Sequence, residues 1–166
     1  MISRRLLLAG AGSLVVLGAL RWMQGGDAAS ATSFEVEKSD AEWRRLLTGA
    51  QYNVLRRHAT EQPFSSPLNQ EKRKGAFACA GCDLPLFSSD TKFESGTGWP
   101  SFYAPLPNAI GTSEDRTYFI KRTEVHCRRC GGHLGHVFDD GPKPTGLRYC
   151  MNGVALKFAP GTSPSA

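Results

Sequence analysis

The sequence predicts a mainly β domain preceded by two short helices. Short segments rich in β-branched and aromatic residues, separated by turns, occupy the chain from Gly75 onward. Two helical patterns precede them, and five cysteines fall as two Cys-x-x-Cys pairs and one lone residue. At 166 residues the chain fits one domain with appendages, and it is long enough to bury a core.

The two helices are predicted from capping and from apolar spacing. Ser39 and Glu42 form a capping-box pattern that starts the first helix. The second helix is expected over residues 50–58. The apolar residues at helical spacing, which we expect in the core, are Trp43, Leu46, Leu47, Tyr52, Val54 and Leu55.

The predicted strands follow the helices. They cover residues 77–79, 118–127, 136–138 and 147–158, with turns at 88–90, 140–142 and 144–146. Residues 159–166 have the composition of a disordered tail, so the domain is expected to span residues 32–158.

Residues 1–31 have the pattern of an export signal. Arg4 and Arg5 stand directly before an uncharged apolar run of 15 residues from Leu6 to Leu20, as in twin-arginine signals. As a helix this run is about 22 Å long, short of a ~30 Å hydrocarbon core. A cleaved signal before Thr32 is therefore expected, with export to a bacterial periplasm or cell envelope. A general secretory signal and an uncleaved anchor are the alternatives.

The charge balance argues against nucleic acid as a partner. The net charge is +5, but the predicted signal holds three arginines against one aspartate, which leaves +3 for the rest. This is too little to indicate a phosphate-binding surface.

The two Cys-x-x-Cys pairs predict one structural zinc ion. Each short loop turns two sulfurs toward one point, and four thiolates complete a tetrahedral site with no open position. The predicted ligands are Cys79, Cys82, Cys127 and Cys130. A set using Cys127, Cys130, His133 and His136, or a thioredoxin-type redox pair, is the weaker alternative.

The fifth cysteine, Cys150, lies in a β-prone segment. Side chains alternate in a strand, so Arg148, Cys150 and Asn152 share one face. A guanidinium beside a thiol favours the thiolate and is expected to lower the pKa of Cys150. A lone cysteine that simply packs in the core is the alternative interpretation.

Two further segments supply candidate site residues. In an extended stretch His136, Phe138 and Asp140 share a face, and His136 can transfer a proton near neutral pH, whereas His133 fits a core role better. In residues 95–102, Trp99 and Phe102 follow a pair of glycines and suit an apolar pocket for a methyl group.

Together these segments closely resemble the B-type methionine sulfoxide reductases, which reduce the R epimer in proteins. The similarity runs from about Asp40 to Phe158. Its ordered matches lie at residues 59–64, 95–102, 130–138 and 146–158. The resemblance implies antiparallel β-sheets in a sandwich or barrel-like core, with the helices outside and a four-cysteine zinc site at one end.

The resemblance also implies roles for the site residues. It makes Cys150 the catalytic thiol, which becomes a sulfenic acid while His136 supplies a proton. It sets Trp99 against the substrate methyl group and His133 near the pocket. It groups four residues around the sulfoxide sulfur and oxygen: His136, Asp140, Arg148 and Asn152.

One departure from the family concerns Thr97, which stands where many members carry a second cysteine. We therefore expect a thioredoxin-like or other external thiol to reduce Cys150. The expected substrates are oxidised proteins that carry methionine-R-sulfoxide.

Two functions from other classes compete with this interpretation. A zinc-ribbon interaction module would explain the four paired cysteines but not Cys150 and its neighbours. A zinc hydrolase would need an open metal position, which four thiolates deny.

Overall fold

The two helices begin at the capping residues that the sequence supplies. In this computed structural model α1 spans Asp40–Leu46 and α2 spans Gly49–Arg57. The capping box of α1 is formed by Ser39 and Glu42, as predicted, and Thr48 with Gln51 forms a second one that starts α2. The structure describes residues 33–117, 120–162 and 164–166, so the predicted export signal lies outside the described residues.

The inner faces of the helices agree with the predicted core except at one position. Trp43, Tyr52, Val54 and Leu55 are buried. Leu46 is 61% exposed, so its prediction as a core residue was wrong. Trp43 and Leu47 are four residues apart and both buried, whereas Leu46 lies about 100° around the helix from Leu47. No helix of the described residues is long and apolar enough to cross a membrane.

Nine strands follow within the described residues, and every pairing between them is antiparallel. They are β1 Gly75–Cys79, β2 Pro85–Ser88, β3 Lys92–Phe93, β4 Ser101–Phe102, β5 Ile110–Asp115, β6 Arg122–Cys127, β7 His133–Phe138, β8 Arg148–Met151 and β9 Leu156–Pro160. One sheet has the order β2-β1-β9 and the other has the order β3-β4-β8-β7-β6-β5. The predicted fold, mainly antiparallel β with two N-terminal helices, is confirmed.

Three predicted segment limits were wrong. The strand predicted over 118–127 begins at Arg122, while residues 118 and 119 lie outside the described residues. The strand predicted over 147–158 is two strands, because a 3-10 turn at Gly153–Ala155 sends β8 and β9 to different sheets. Strand β9 runs to Pro160, which pairs with Gly75, so residues 159 and 160 form part of the sheet and not of a tail.

Aromatic side chains from both sheets meet in the core. Phe102 of β4 stacks on Phe87 of β2 with ring centroids 4.4 Å apart, and Phe77 of β1 meets Phe102 edge-on at 5.0 Å. All three are fully buried. This contact fixes the two sheets against each other and makes β4 and β8 a rigid support for the site.

Candidate active site and metal centre

The four paired cysteines form one cluster with the spacing of a metal site. All four Sγ atoms lie within 4.8 Å of one another, with Cys79 and Cys130 3.7 Å apart and Cys82 and Cys127 3.5 Å apart. A tetrahedral zinc with bonds of about 2.3 Å separates its sulfurs by about 3.8 Å. A disulfide would need about 2.05 Å, and all five cysteines are free thiols. The cluster therefore fits structural zinc, as predicted.

The surroundings of the cluster support this assignment. The backbone N–H of Gly81 donates to Cys79 Sγ at 3.4 Å, a contact that favours thiolate sulfur. The alternative ligand set with His133 and His136 does not form, since each of these imidazoles is bonded to a carboxylate elsewhere.

Cys150 lies in the middle of the larger sheet. Its register partners are Ser101 on β4 and His136 on β7, so the thiol is flanked on both sides by side chains of neighbouring strands. Gly135 permits the close approach of β7, because a Cβ there would come within 2.1 Å of the Cys150 carbonyl oxygen.

A cavity of about 210 Å³ opens beside Cys150. It is smaller than most ligand-binding pockets, so it suits one side chain better than a cofactor. Five of the predicted site residues line it: Trp99, His136, Phe138, Cys150 and Asn152. Thr60, Arg122 and Gly135 complete the lining, and sequence reasoning had named none of these three as site residues.

The electrostatic environment of Cys150 differs from the prediction. Burial raises the pKa of the thiol, and Thr97, Arg148 and Ser101 oppose that rise without cancelling it. The expected lowering of the pKa by Arg148 alone was therefore wrong in its net direction, since the thiol is half-buried. Thr97 Oγ1 lies 3.8 Å from Cys150 Sγ, and Ser95 bonds both Thr97 and Ser101, which forms a small group of hydroxyls beside the thiol.

Arg148 is held between a carboxylate and a ring. Its guanidinium donates to both oxygens of Asp140 at 2.8 Å and lies over Phe138, with Cζ 4.4 Å from the ring centroid. Asp140 is 60% exposed and is not among the lining residues of the cavity, so its place around the sulfoxide stays a prediction. Its carboxylate orients Arg148.

Hydrogen bonds of Asn152 and Glu61 hold together the chain segments beside the cavity. Asn152 Oδ1 accepts from the Glu61 N–H at 2.9 Å and its Nδ2 donates to the Leu134 carbonyl at 3.0 Å, so both polar atoms are engaged within the protein. The Trp99 indole N–H donates to the Glu61 carbonyl at 3.1 Å. The Glu61 carboxylate accepts from Gly153 N at 2.6 Å and Val154 N at 2.9 Å. No periodic pattern along the chain points to Glu61.

The backbone before Trp99 depends on glycine. Gly98 has φ +93°, and a Cβ there would come within 2.7 Å of Pro63 Cβ. The Phe64 N–H donates to the Gly98 carbonyl at 2.7 Å, which ties the 59–64 segment to the turn that presents Trp99.

His136 is bonded to a residue that sequence reasoning missed. Its Nε2 lies 2.7 Å from Asp115 Oδ2, at the end of β5. Burial lowers the pKa of His136, while the bond to Asp115 opposes that effect. Only the order of strands β5, β6 and β7 brings the two residues together.

His133 lies in the neighbouring cavity, of about 960 Å³, and not in the Cys150 cavity. It is buried, and its Nδ1 lies 2.7 Å from Glu124 Oε1, which His58 Nδ1 also approaches at 3.1 Å. Burial tends to raise the pKa of Glu124, but hydrogen bonds from His133, His58 and Ser113 outweigh it and hold the pKa well below its usual range. The His133 ring centroid lies 5.4 Å from that of His136, which lines the Cys150 cavity, and the role of His133 in substrate binding stays a prediction.

Phe102 is a core residue, so its predicted role in substrate binding was wrong. It is fully buried, does not line the cavity and pairs in register with Tyr149. Tyr149 points to the face of β8 opposite Cys150, and Phe102 follows it there.

This arrangement defines a class of protein. The four-cysteine set leaves zinc no position for a reactant, so the chemistry falls to the thiol that faces the small cavity. The fold and the site are those of a thiol-dependent oxidoreductase with a structural metal.

The SelR domain family model matches residues 47–160, more than half of the chain, and the chain belongs to that family. Proteins named peptide methionine sulfoxide reductase MsrB are similar to it. That of Agrobacterium fabrum is 55% identical over 130 residues, covering 78% of this chain and 96% of the relative. That of Methanosarcina barkeri is 59% identical over 124 residues, covering 74% and 87%. The Leptospira interrogans relative is 52% identical over 127 residues, covering 76% and 97%. The resemblance found in the sequence is confirmed.

Proposed function

We propose that this chain is a peptide methionine-R-sulfoxide reductase that uses Cys150 as its nucleophile. The observation that carries the proposal is the small cavity in which Cys150 meets an aromatic wall and an imidazole. A methionine sulfoxide side chain combines an apolar methyl group with a polar sulfur–oxygen bond, so it requires both kinds of surface. Family membership supports the same reaction.

The Cys150 thiolate attacks the sulfoxide sulfur, and His136 delivers a proton to the departing oxygen. The sulfur–oxygen bond of the substrate breaks. The oxygen leaves as hydroxide, while a sulfur–sulfur bond joins Cys150 to the substrate. Hydroxide then adds to the Cys150 sulfur and the sulfur–sulfur bond breaks. Methionine leaves, reduced by two electrons, and Cys150 remains as a sulfenic acid, oxidised by two electrons. In net terms one thiol and one sulfoxide give one sulfenic acid and one thioether.

The other residues of the site have supporting roles. Trp99 and Phe138 hold the methyl group, and Arg148 stabilises the thiolate against its burial. Asn152 positions the cavity wall through its amide bonds to Glu61 and Leu134. Zinc has no part in the reaction. When bound, it would stabilise the fold by joining the ends of β1 and β6 through their C-terminal cysteines.

An external thiol completes the cycle. One thiol displaces water from the sulfenic acid to form a mixed disulfide, and a second thiol releases Cys150 and leaves as part of a disulfide. Thr97, which stands in place of a resolving cysteine, lies 3.8 Å from Cys150 Sγ and cannot form a disulfide. The four remaining cysteines of the chain form the zinc cluster. Mass spectrometry that finds Cys150 stably bonded to another cysteine of the active chain would contradict this step.

The test of the reaction is turnover driven by dithiothreitol on separated R and S epimers of a peptide methionine sulfoxide. Wild-type protein should reduce the R epimer alone, and Cys150→Ser should reduce neither while it keeps its zinc. Absence of turnover in zinc-loaded wild-type protein would favour the interaction module instead.

Export is part of the proposal. The paired arginines before an apolar run support transport of the folded, zinc-loaded protein through the twin-arginine route to a periplasm or cell envelope. Cell fractionation should find the mature protein beginning at Thr32 outside the cytoplasm. Substitution of Arg4 and Arg5 by lysine should retain it inside, and unchanged export would indicate the general secretory route.

A further inference from the structure

We infer that Asp115 is a positioning residue that anchors both His136 and Arg122 at the wall of the Cys150 cavity. The inference rests on the proposed function, since it concerns the proton donor of that reaction. Both anchored side chains line the cavity, whereas Asp115 lines only the neighbouring one.

The sheet register builds this arrangement. Asp115 of β5 pairs with Arg122 of β6, and His136 of β7 pairs with Glu124, two residues further along β6. Residues two apart in a strand share a face, so all four side chains lie on the same side of the sheet. Asp115 reaches diagonally across β6 to His136.

One carboxylate oxygen serves both partners. Asp115 Oδ2 lies 2.7 Å from His136 Nε2 and 2.7 Å from Arg122 Nη2. The other oxygen, Oδ1, accepts from the Thr117 N–H at 2.8 Å. With three donors the carboxylate has a fixed orientation, and its neighbours are fixed with it.

The anchor determines which nitrogen of His136 can act. Hydrogen bonds from Thr117 and His136 hold the pKa of Asp115 well below its usual range, so Asp115 is ionised and only accepts. Nε2 therefore carries a proton permanently, and Nδ1 is the nitrogen that gains and releases the catalytic proton. Asp115 also stabilises the imidazolium, which burial disfavours.

Several other charged or titratable groups surround His136. Arg122 and Glu124 face it from β6, His133 from its own strand, Cys150 from β8 and His58 from the end of α2. Arg122 and His133 both act to lower the pKa of His136. Asp115 is the carboxylate in direct contact with the ring, so its charge offsets them.

The experiment compares Asp115→Asn with wild type in the full-length, zinc-loaded chain, with dithiothreitol as reductant. We expect kcat to fall about 10- to 100-fold with KM changed only a few-fold, as for other residues that orient a reactive group. In the pH profile of kcat/KM, the decline at high pH should begin at a lower pH in Asp115→Asn. Without the Asp115 carboxylate the His136 imidazolium is less stable and loses its proton sooner. Asp40→Asn removes an exposed carboxylate that also pairs with an arginine, Arg44, and should leave kcat and the profile unchanged.

A double variant and an NMR measurement test separately whether Asp115 acts through His136. The double variant Asp115→Asn, His136→Ala should be little slower than His136→Ala alone, and a full additional loss would show that Asp115 does not act through His136. Nitrogen-15 NMR of wild-type His136 should find the proton on Nε2 in the neutral ring. A proton on Nδ1 would overturn the anchor even if Asp115→Asn fails to fold. Wild-type protein without turnover would refute the proposed function, while the NMR result would still decide the anchor.

Discussion

Glu61 joins three parts of the site, so its replacement by alanine should affect both stability and substrate binding. Its carboxylate accepts the N–H groups of Gly153 and Val154, and its backbone bonds the side chains of Asn152 and Trp99. Alanine has the same backbone groups, so it can still bond Asn152 and Trp99. It lacks the carboxylate that ties the backbone around Glu61 to Gly153 and Val154. Gly153 is buried, so its N–H loses its partner without access to water.

The magnitude follows from these two hydrogen bonds. A hydrogen bond to a charged group contributes about 1.5–3 kcal/mol, and a buried donor left unpaired costs about 1–3 kcal/mol. Because Glu61 and Val154 are only half-buried, we expect Glu61→Ala to lower the free energy of unfolding by about 2–4 kcal/mol. For a domain of this size the midpoint of thermal unfolding should fall by roughly 10 °C.

Thermal and urea unfolding of zinc-loaded protein measures the stability, and steady-state turnover of the R epimer measures the site. KM should rise about ten-fold or more because Trp99 loses its fixed position, with a smaller effect on kcat. Glu37→Ala is the matched control, since Glu37 is exposed and accepts one N–H, from Phe34 at 3.0 Å. It should change stability by less than about 0.5 kcal/mol. Equal stability and equal KM in Glu61→Ala and Glu37→Ala would refute the reasoning.

Three other perturbations probe the metal, the core and the thiol. Cys127→Ser should abolish zinc binding and cooperative unfolding, as measured by metal analysis and circular dichroism, whereas Cys150→Ser should retain both. Phe102→Ala should lower the free energy of unfolding in urea by about 3–5 kcal/mol, whereas Trp99→Ala should mainly raise KM. A raised KM in Phe102→Ala with unchanged stability would show that Phe102 binds substrate. Arg148→Met removes the cation that opposes the effect of burial on the pKa of Cys150. The pKa should therefore rise further, and half-maximal alkylation of Cys150 by iodoacetamide should shift to higher pH; an unchanged midpoint would mean that Arg148 does not act on the thiol.

Local patterns predicted the elements whose causes are local. The capping box of α1 depends on residues three apart, and the two Cys-x-x-Cys pairs bring their sulfurs together within one turn each. Alternation along β8 correctly separated Cys150 from Tyr149, because side chains in any strand alternate. The resemblance to a family added the antiparallel topology, which no local pattern contains.

The misplacement of Phe102 shows where alternation fails. The sequence fixes which residues of β4 share a face, but the face that turns to the core depends on register with β8. Ser101 pairs with Cys150 and Phe102 with Tyr149, so Ser101 lies near the thiol and Phe102 lies in the core.

By itself, the sequence predicted the four zinc ligands from two short Cys-x-x-Cys spacings and placed Arg148 on the same face as Cys150. The resemblance to a family added the expectation that Cys150 is the nucleophile. Only the tertiary structure decided the supports of the site. Asp115 meets His136 from 21 residues away and Glu61 meets Gly153 from 92 residues away. Strand order and register create these contacts, and neither leaves a periodic trace in the chain. Burial of Cys150, which reverses the expected direction of its pKa shift, is likewise a property of the packed sheets and not of its neighbours in sequence.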